Sequence, residues 1–102
     1  MQAYWDYVND LPDLSGKTAV VTGANSGLGY WTTLGLASRG AQVIMACRNR
    51  TKADQAMATL KELYPSANLR FEALDLSNLG SIQTCATALQ ANHDSLDFLI
   101  NN

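Results

Sequence analysis

The chain has 102 residues, and seven Lys and Arg against nine Asp and Glu give it a net charge of −2. This is the length of one small domain, so we expect these 102 residues to form one domain without a separate substrate domain. Hydrophobic residues make up 47% and charged residues 16%, a balance typical of a globular protein and not of a disordered or coiled-coil chain. Because the charge is weak and evenly mixed, nucleic acid is not an expected partner.

The sequence gives no signal for a membrane or for export. The longest apolar run, residues 43–47, is far shorter than the roughly 20 residues of a membrane-spanning helix. Residues 1–14 contain no Lys or Arg to begin a secretory signal. Cys47, Cys85 and the single His93 are too far apart in sequence to suggest a disulfide or metal framework. We therefore expect a cytoplasmic protein without a metal site.

Strands and helices alternate along the chain. Short β-branched or apolar runs predict four strands, at residues 17–22, 42–47, 68–74 and 96–100. Helical spacing predicts a first helix over about residues 27–39 that ends at Gly40, and a second that stops before Pro65. A third has an apolar stripe, with Ser77 or Asn78 as its N-cap; the stripe consists of Leu79, Ile82, Ala86 and Leu89.

This alternation predicts an α/β fold, the N-terminal half of a Rossmann-type doubly wound parallel sheet. The uninterrupted apolar run at residues 43–47 is typical of a central strand that is buried on both faces. Residues 16–102 are expected to form the folded domain. Residues 1–15 form an aromatic lead-in, for which a short helix on the sheet edge and disorder are both left open.

Three glycines lie between the first predicted strand and the first predicted helix. Gly23 suits the turn that leaves the strand, Gly27 lets the backbone approach a phosphate, and Gly29 allows close helix packing. A helix N-terminus adds unpaired N–H groups and partial positive charge, so the loop is a candidate pyrophosphate site. A tight connection without a ligand is the alternative. The candidate binding residues of the loop are Gly23, Asn25, Ser26, Gly27, Leu28 and Gly29.

The spacing G-x-x-x-G-x-G behind Thr22 resembles the glycine motif of the short-chain dehydrogenase/reductase family. Asp75-Leu76, after the third strand, is similar to the family's D-L step beside the adenine, and Asn101-Asn102 is similar to the start of its N-N-A-G motif. Residues 14–17 and 46–49 look most like the retinol dehydrogenase and oxidoreductase-like branch. Trp31 and Thr33 depart from the residues that relatives usually carry in the first helix, so we expect the packing of that helix to differ from theirs.

The resemblance implies an oxidoreductase that interconverts a small-molecule alcohol and a carbonyl by hydride transfer with a nicotinamide cofactor. The family's catalytic Ser and Tyr-x-x-x-Lys would lie beyond residue 102, since no tyrosine here has a lysine four residues later. We therefore expect the chain to be the cofactor-binding N-terminal part of a longer enzyme. The substrate is not encoded in these residues, and a homo-oligomer of the complete enzyme is left open.

The end of the second strand bears on which cofactor is bound. An NAD-selective site places a carboxylate there to accept hydrogen bonds from the ribose hydroxyls, but Cys47 occupies that position and Arg48-Asn49-Arg50 follow. A guanidinium can bind a 2′-phosphate, so NADP(H) is the predicted cofactor, with Arg48 and Asn49 among its contacts. The alternative is that Arg48 and Arg50 are solvated charges at a helix start. Lys52 is a weaker candidate for the same phosphate.

Three further alternatives stay open at this point. Asp75 could cap the third helix instead of contacting the adenine. The chain could be a non-catalytic nucleotide-binding or scaffold protein that keeps the glycine loop. A methyltransferase also has such a loop, but it normally needs an acid at the end of the second strand, where Cys47 and Arg48 stand.

Overall fold

A computed structural model describes residues 12–25, 27–92 and 96–100. Within them, four parallel strands alternate with three helices, which confirms the predicted Rossmann-type α/β fold. The elements are β1 (Thr18–Thr22), α1 (Gly27–Ser38), β2 (Gln42–Cys47), α2 (Arg50–Leu63), β3 (Asn68–Ala73), α3 (Leu79–Asn92) and β4 (Phe98–Ile100). The predicted β1 and β3 are each one residue too long, and β4 begins at Phe98 instead of residue 96.

The strand order is β3-β2-β1-β4, and every pair is parallel. The chain therefore builds outwards from β1 to β3 and then returns to the other side of β1. In the register, Val20 of β1 lies beside Ile44 of β2 and beside Leu99 of β4. Such a reversal leaves a crevice at the carboxyl ends of the strands, the usual place for a ligand in open α/β sheets.

The predicted central strand is β2. Val43, Ile44 and Met45 are fully buried, because alternate residues of β2 enter hydrophobic clusters on opposite faces of the sheet. One cluster contains Val43 and Met45 with residues of α1 and α2, and the other contains Ile44 with Leu89 of α3 packed against it. Helices thus cover both faces of the sheet, as the uninterrupted apolar run predicts.

Leu14 belongs to the same core, although it lies within the predicted lead-in. Its side chain is 6% exposed and its backbone N–H donates to the carbonyl of Arg39, at 2.7 Å. The polypeptide just before β1 is therefore attached to the end of α1. Residues 1–11 lie outside the described residues. In the part of the chain that the structure describes, no helix is both long and apolar enough to cross a membrane.

The C-terminus of α1 has the glycine cap that the sequence predicts. The N–H of Gly40 donates to the carbonyl of Ala37, and the N–H of Ala41 donates to that of Leu36, the two hydrogen bonds of a Schellman motif. Gly40 has a φ of +97°, and a Cβ added there would lie 2.6 Å from Ser15 Oγ. Only glycine fits, because the conformation is left-handed and the space is filled.

Gly40→Ala should therefore destabilise the fold by about 2 to 3 kcal/mol, as the sum of left-handed strain and the contact with Ser15. The matched control is Gly16→Ala. Gly16 also has a positive φ, +81°, but an added Cβ meets nothing within 4 Å. Urea unfolding should place the Gly40→Ala midpoint below that of Gly16→Ala. Equal midpoints would show that Ser15 moves aside at no cost.

Candidate functional site

The glycine loop starts at the carboxyl end of β1 and leads into the N-terminus of α1. Gly23 has a φ of +61° and its N–H donates to the carbonyl of Ala46 in β2, at 3.0 Å. Gly27, the first residue of α1, has a φ of +58°, and a Cβ added there would meet no atom within 4 Å. The helix N-terminus therefore faces open space, as binding a phosphate requires. The residues present fit the pyrophosphate of a dinucleotide.

The other two predicted residues after Gly27 face different surroundings. Gly29 is buried in α1, and its carbonyl accepts a 2.8 Å hydrogen bond from the hydroxyl of the buried Thr33. Thr33 is thus part of the internal packing of α1, which gives its departure from the family pattern a structural reason. Leu28 is 65% exposed on the outer side of the helix start. Ser26, which the sequence also predicts, lies outside the described residues.

A cleft of about 300 Å³ opens beside the loop, at the carboxyl ends of β1, β2 and β3. Because parallel strands end at the same edge, residues that are far apart in sequence meet here. Five of the predicted site residues line this cleft. Its lining is Thr22, Gly23, Asn25, Ala46, Cys47, Arg48, Leu74, Asp75, Leu76 and Ser77.

Cys47 ends β2 under the glycine loop. It is 2% exposed and is part of the cleft lining. Burial raises the pKa of the Cys47 thiol, and the nearby backbone N–H groups of Ala24 and Asn25 oppose that shift by a smaller amount. The thiol is therefore neutral at pH 7, and the position where an NAD-selective site has a carboxylate carries no charge.

The two arginines after β2 have different surroundings. Arg48 is exposed at the edge of the cleft. Arg50 lies outside the cleft lining; its Nε is 3.2 Å from Asp54 Oδ1, and its guanidinium lies 4.7 Å from the centre of the Phe71 ring. Arg50 is the first residue of α2 and its side chain is 69% exposed, so the interpretation as a solvated helix-start charge is confirmed for Arg50, with Asp54 as its exposed partner. Of the two, only Arg48 lines the cleft.

Asn49 has a role that the sequence analysis missed. It is the N-cap of α2, and its side-chain oxygen accepts a 2.9 Å hydrogen bond from the N–H of Lys52. This side chain is therefore used by the helix. An asparagine directly before a helical pattern was the signal that could have indicated the cap. Lys52 lies in a separate polar depression with Asn25 and Tyr30, between α1 and α2.

Asp75 closes the opposite side of the cleft. Its Oδ1 accepts hydrogen bonds from the hydroxyl of Ser77, at 2.6 Å, and from the N–H of Ser77, at 3.0 Å. The cap of α3 is Asn78, whose side-chain oxygen accepts from the N–H of Ser81 at 3.1 Å. The Asn78 alternative is thus confirmed, and the interpretation of Asp75 as the cap is wrong because Asp75 forms its own turn with Ser77.

The two hydrogen bonds from Ser77, followed by the positive charge of Arg48, lower the pKa of the Asp75 carboxyl. Asp75 is therefore ionised at neutral pH and lies near Arg48. The same three residue types, Asp-Leu-Ser, form the same turn at Asp13, where Ser15 donates at 2.7 and 3.0 Å and lowers the pKa of that carboxyl too.

Ser77→Ala should raise the pKa of Asp75, because it removes the strongest donor to the carboxylate and leaves the backbone N–H. A depressed pKa in the folded state favours folding above the unfolded value and loses that effect as the pH falls through the folded value. The variant should therefore lose part of the small contribution that the ionised Asp75 makes to the free energy of unfolding near neutral pH. NMR titration of the carboxyl carbons measures the pKa directly, and Ser15→Ala is the matched control. That control should raise the pKa of Asp13 alone; an unmoved Asp75 in Ser77→Ala would contradict the assignment.

Asn101 and Asn102, the remaining predicted site residues, lie outside the described residues, as does His93. The structure therefore brings together Gly23, Asn25, Arg48, Asp75 and Leu76 in one cleft. Gly27 lies at the adjoining helix N-terminus.

Comparison with known proteins places this arrangement in a family. A model of the short chain dehydrogenase family matches residues 17–102. The chain is 47% identical over 92 residues to the dehydrogenase/reductase SDR family member 13 of Bos taurus, covering 90% of this chain and 24% of that protein. The chain spans about a quarter of the length of the curated relatives that it matches.

Solved structures of similar sequence agree with this family assignment. The menthone neomenthol reductase from Mentha piperita superposes with a TM-score of 0.77 at 35% identity, over 84% of this chain and 31% of that one. A Pseudomonas aeruginosa RhlG/NADP active-site complex superposes with a TM-score of 0.79 at 27% identity, over 100% of this chain and 37% of that one. The predicted resemblance is confirmed: the chain belongs to the short-chain dehydrogenase/reductase family.

Proposed function

We propose that this chain is the NADP(H)-binding part of an oxidoreductase that interconverts an alcohol and a carbonyl by hydride transfer. The observation that carries the proposal is the position of the cleft beside the helix N-terminus. The open space at Gly27 suits a pyrophosphate, and the cleft between Arg48 and Asp75 suits the adenosine that is attached to it.

The proposed contacts follow the chemical groups of the dinucleotide in turn, from the pyrophosphate to the adenine. The pyrophosphate lies at the start of α1, against the backbone of Gly23, Gly27 and Gly29. The adenine lies beside Asp75 and Leu76. Asn49 takes part through its backbone, because its side chain caps α2. The full set of proposed cofactor-binding residues is Gly23, Asn25, Ser26, Gly27, Leu28, Gly29, Arg48, Asn49, Asp75, Leu76, Asn101 and Asn102.

The preference for NADP(H) over NAD(H) rests on charge. Arg48 is exposed at the rim of the cleft and can donate to a 2′-phosphate by charge-assisted hydrogen bonds. The neutral Cys47 neither repels that phosphate nor offers a carboxylate to the ribose hydroxyls. A family relative has been solved as an NADP complex, which fits this preference.

The cofactor, when bound, supplies the hydride that is exchanged with the substrate carbon. The residues of this chain bind and orient the cofactor, and no tyrosine of these 102 residues has a lysine four residues later, as the family's Tyr-x-x-x-Lys requires. We propose a cytoplasmic enzyme with a small-molecule alcohol or carbonyl as substrate, in which residues 16–102 form the NADP-binding domain.

Calorimetric titration of the full-length protein with NADP and with NAD tests the proposal. We expect both dinucleotides to bind, and NADP to bind at least tenfold more tightly. NADPH consumption with a panel of aldehydes and ketones then distinguishes an oxidoreductase from a nucleotide-binding protein without catalysis. A folded protein that binds neither dinucleotide would refute the proposal, and binding without turnover would favour the scaffold alternative.

A further inference from the structure

The turn between β3 and α3 carries the two residues proposed to lie beside the adenine, Asp75 and Leu76. At its start, the N–H of Leu74 still donates to the carbonyl of Cys47 in β2, at 3.0 Å. The next N–H, that of Asp75, donates to the hydroxyl oxygen of Ser81, at 2.8 Å. The backbone thus leaves the sheet at Asp75 and is attached there to the first turn of α3.

The residues between Asp75 and Ser81 are joined by shorter hydrogen-bonded loops. The hydroxyl and the N–H of Ser77 donate to Asp75 Oδ1, and the N–H of Asn78 donates to the carbonyl of Asp75 at 3.0 Å. The bond from Asp75 to Ser81 spans six residues and is partly buried. Because it joins the two ends of the turn, its loss would release the backbone at Asp75 from α3.

From this geometry we infer that Ser81 is a positioning residue for the contact between Asp75 and the adenine. Asp75 and Leu76 line the cleft, whereas Ser81 is not among the lining residues, so it acts through the backbone of the turn. Both bonds from Ser77 go to Oδ1, and within the described residues no hydrogen bond reaches Asp75 Oδ2. One carboxylate oxygen is therefore left for a ligand. This inference rests on the proposed function, which places the adenine here.

The role of Ser81 should be visible in the choice of base. An ionised carboxylate accepts hydrogen bonds only, so Asp75 can accept from the exocyclic amino group of adenine. Hypoxanthine carries a carbonyl oxygen at that position, which the carboxylate repels. A protein that holds Asp75 in place should therefore prefer NADP to its hypoxanthine analogue. A general loss of stability would weaken both ligands alike and leave this preference unchanged.

Three variants separate the hydroxyl of Ser81 from other effects. Ser81→Ala removes the hydroxyl and keeps the N–H that donates to Asn78. Ser81→Thr keeps a hydroxyl at the same position. Thr87→Ala is the matched control, because the hydroxyl of Thr87 also lies in α3 but donates to the carbonyl of Gln83 within the helix. The measurements on the full-length protein are the Kd for NADP and for the hypoxanthine analogue, and amide hydrogen exchange at Asp75 without cofactor.

We expect the parent to bind NADP about tenfold more tightly than the analogue. Ser81→Ala should raise the Kd for NADP about fivefold, leave that for the analogue almost unchanged, and speed amide exchange at Asp75 about tenfold. Ser81→Thr and Thr87→Ala should keep the preference of the parent. An unchanged preference in Ser81→Ala, or a Ser81→Thr protein as impaired as Ser81→Ala, would overturn the inference.

The failure of this inference can be distinguished from the failure of the proposed function. If the parent binds NADP without preferring it to the hypoxanthine analogue, the proposed function stands and the positioning role fails. If the parent binds neither NADP nor NAD, the proposed function fails, and amide exchange in Ser81→Ala still decides whether the hydroxyl holds the turn.

Discussion

Gly27→Val should weaken the binding of both NADP and NAD by about 2 kcal/mol or more, a loss of roughly 30-fold in affinity. A Cβ at Gly27 points into space with no protein atom within 4 Å, at the N-terminus of α1. We propose that the pyrophosphate occupies this space, so the branched side chain would displace it from the helix N–H groups. Calorimetric titration of the full-length protein with each dinucleotide measures the effect.

The control must account for backbone strain, because Gly27 has a φ of +58° and valine opposes that conformation. Gly16→Val provides it. Gly16 also has a positive φ and open space around an added Cβ, but it lies before β1. Both variants should lose stability, and only Gly27→Val should lose affinity. An unchanged dissociation constant in a folded Gly27→Val protein would show that the pyrophosphate lies elsewhere.

The fold could be predicted closely from local patterns. The run at residues 43–47 has no polar residue, so its burial on both faces follows from composition alone, and Gly40 is recognisable as a helix end because it follows an apolar helical pattern. The glycine loop is predictable for the same reason, since its residues are adjacent in the chain. In each case the signal lies within one segment.

The roles of the side chains at the site could not be predicted from the sequence, because they depend on contacts between residues that are distant in the chain. Arg48 and Arg50 look alike in the sequence, and only the packing of β3 against α2 brings Phe71 under Arg50. Cys47 was considered for its missing charge, whereas its place in the cleft lining with Gly23 arises because β1 and β2 end side by side. The burial of Leu14 could not be predicted from its neighbours in the sequence either, because it depends on the end of α1.

The choice of cofactor depends on Arg48. If its guanidinium binds the 2′-phosphate, Arg48→Ala removes a charge-assisted contact that contributes about 1.5 to 3 kcal/mol, while NAD, which lacks that phosphate, should bind almost unchanged. The ratio of kcat/KM for NADP to that for NAD should therefore fall by about one to two orders of magnitude. Arg50→Ala is the matched control, since Arg50 is paired with Asp54 and lies outside the cleft lining. Its ratio should equal that of the parent.

Cys47→Asp should lower the same ratio further than Arg48→Ala does. Its carboxylate would lie in the cleft lining, where it offers the ribose hydroxyls of NAD an acceptor and repels the 2′-phosphate of NADP. The ratio is measured in the full-length enzyme for the parent and each variant. A parent that already prefers NAD, or an Arg48→Ala enzyme with an unmoved ratio, would show that Arg48 is only a solvated charge at the start of α2.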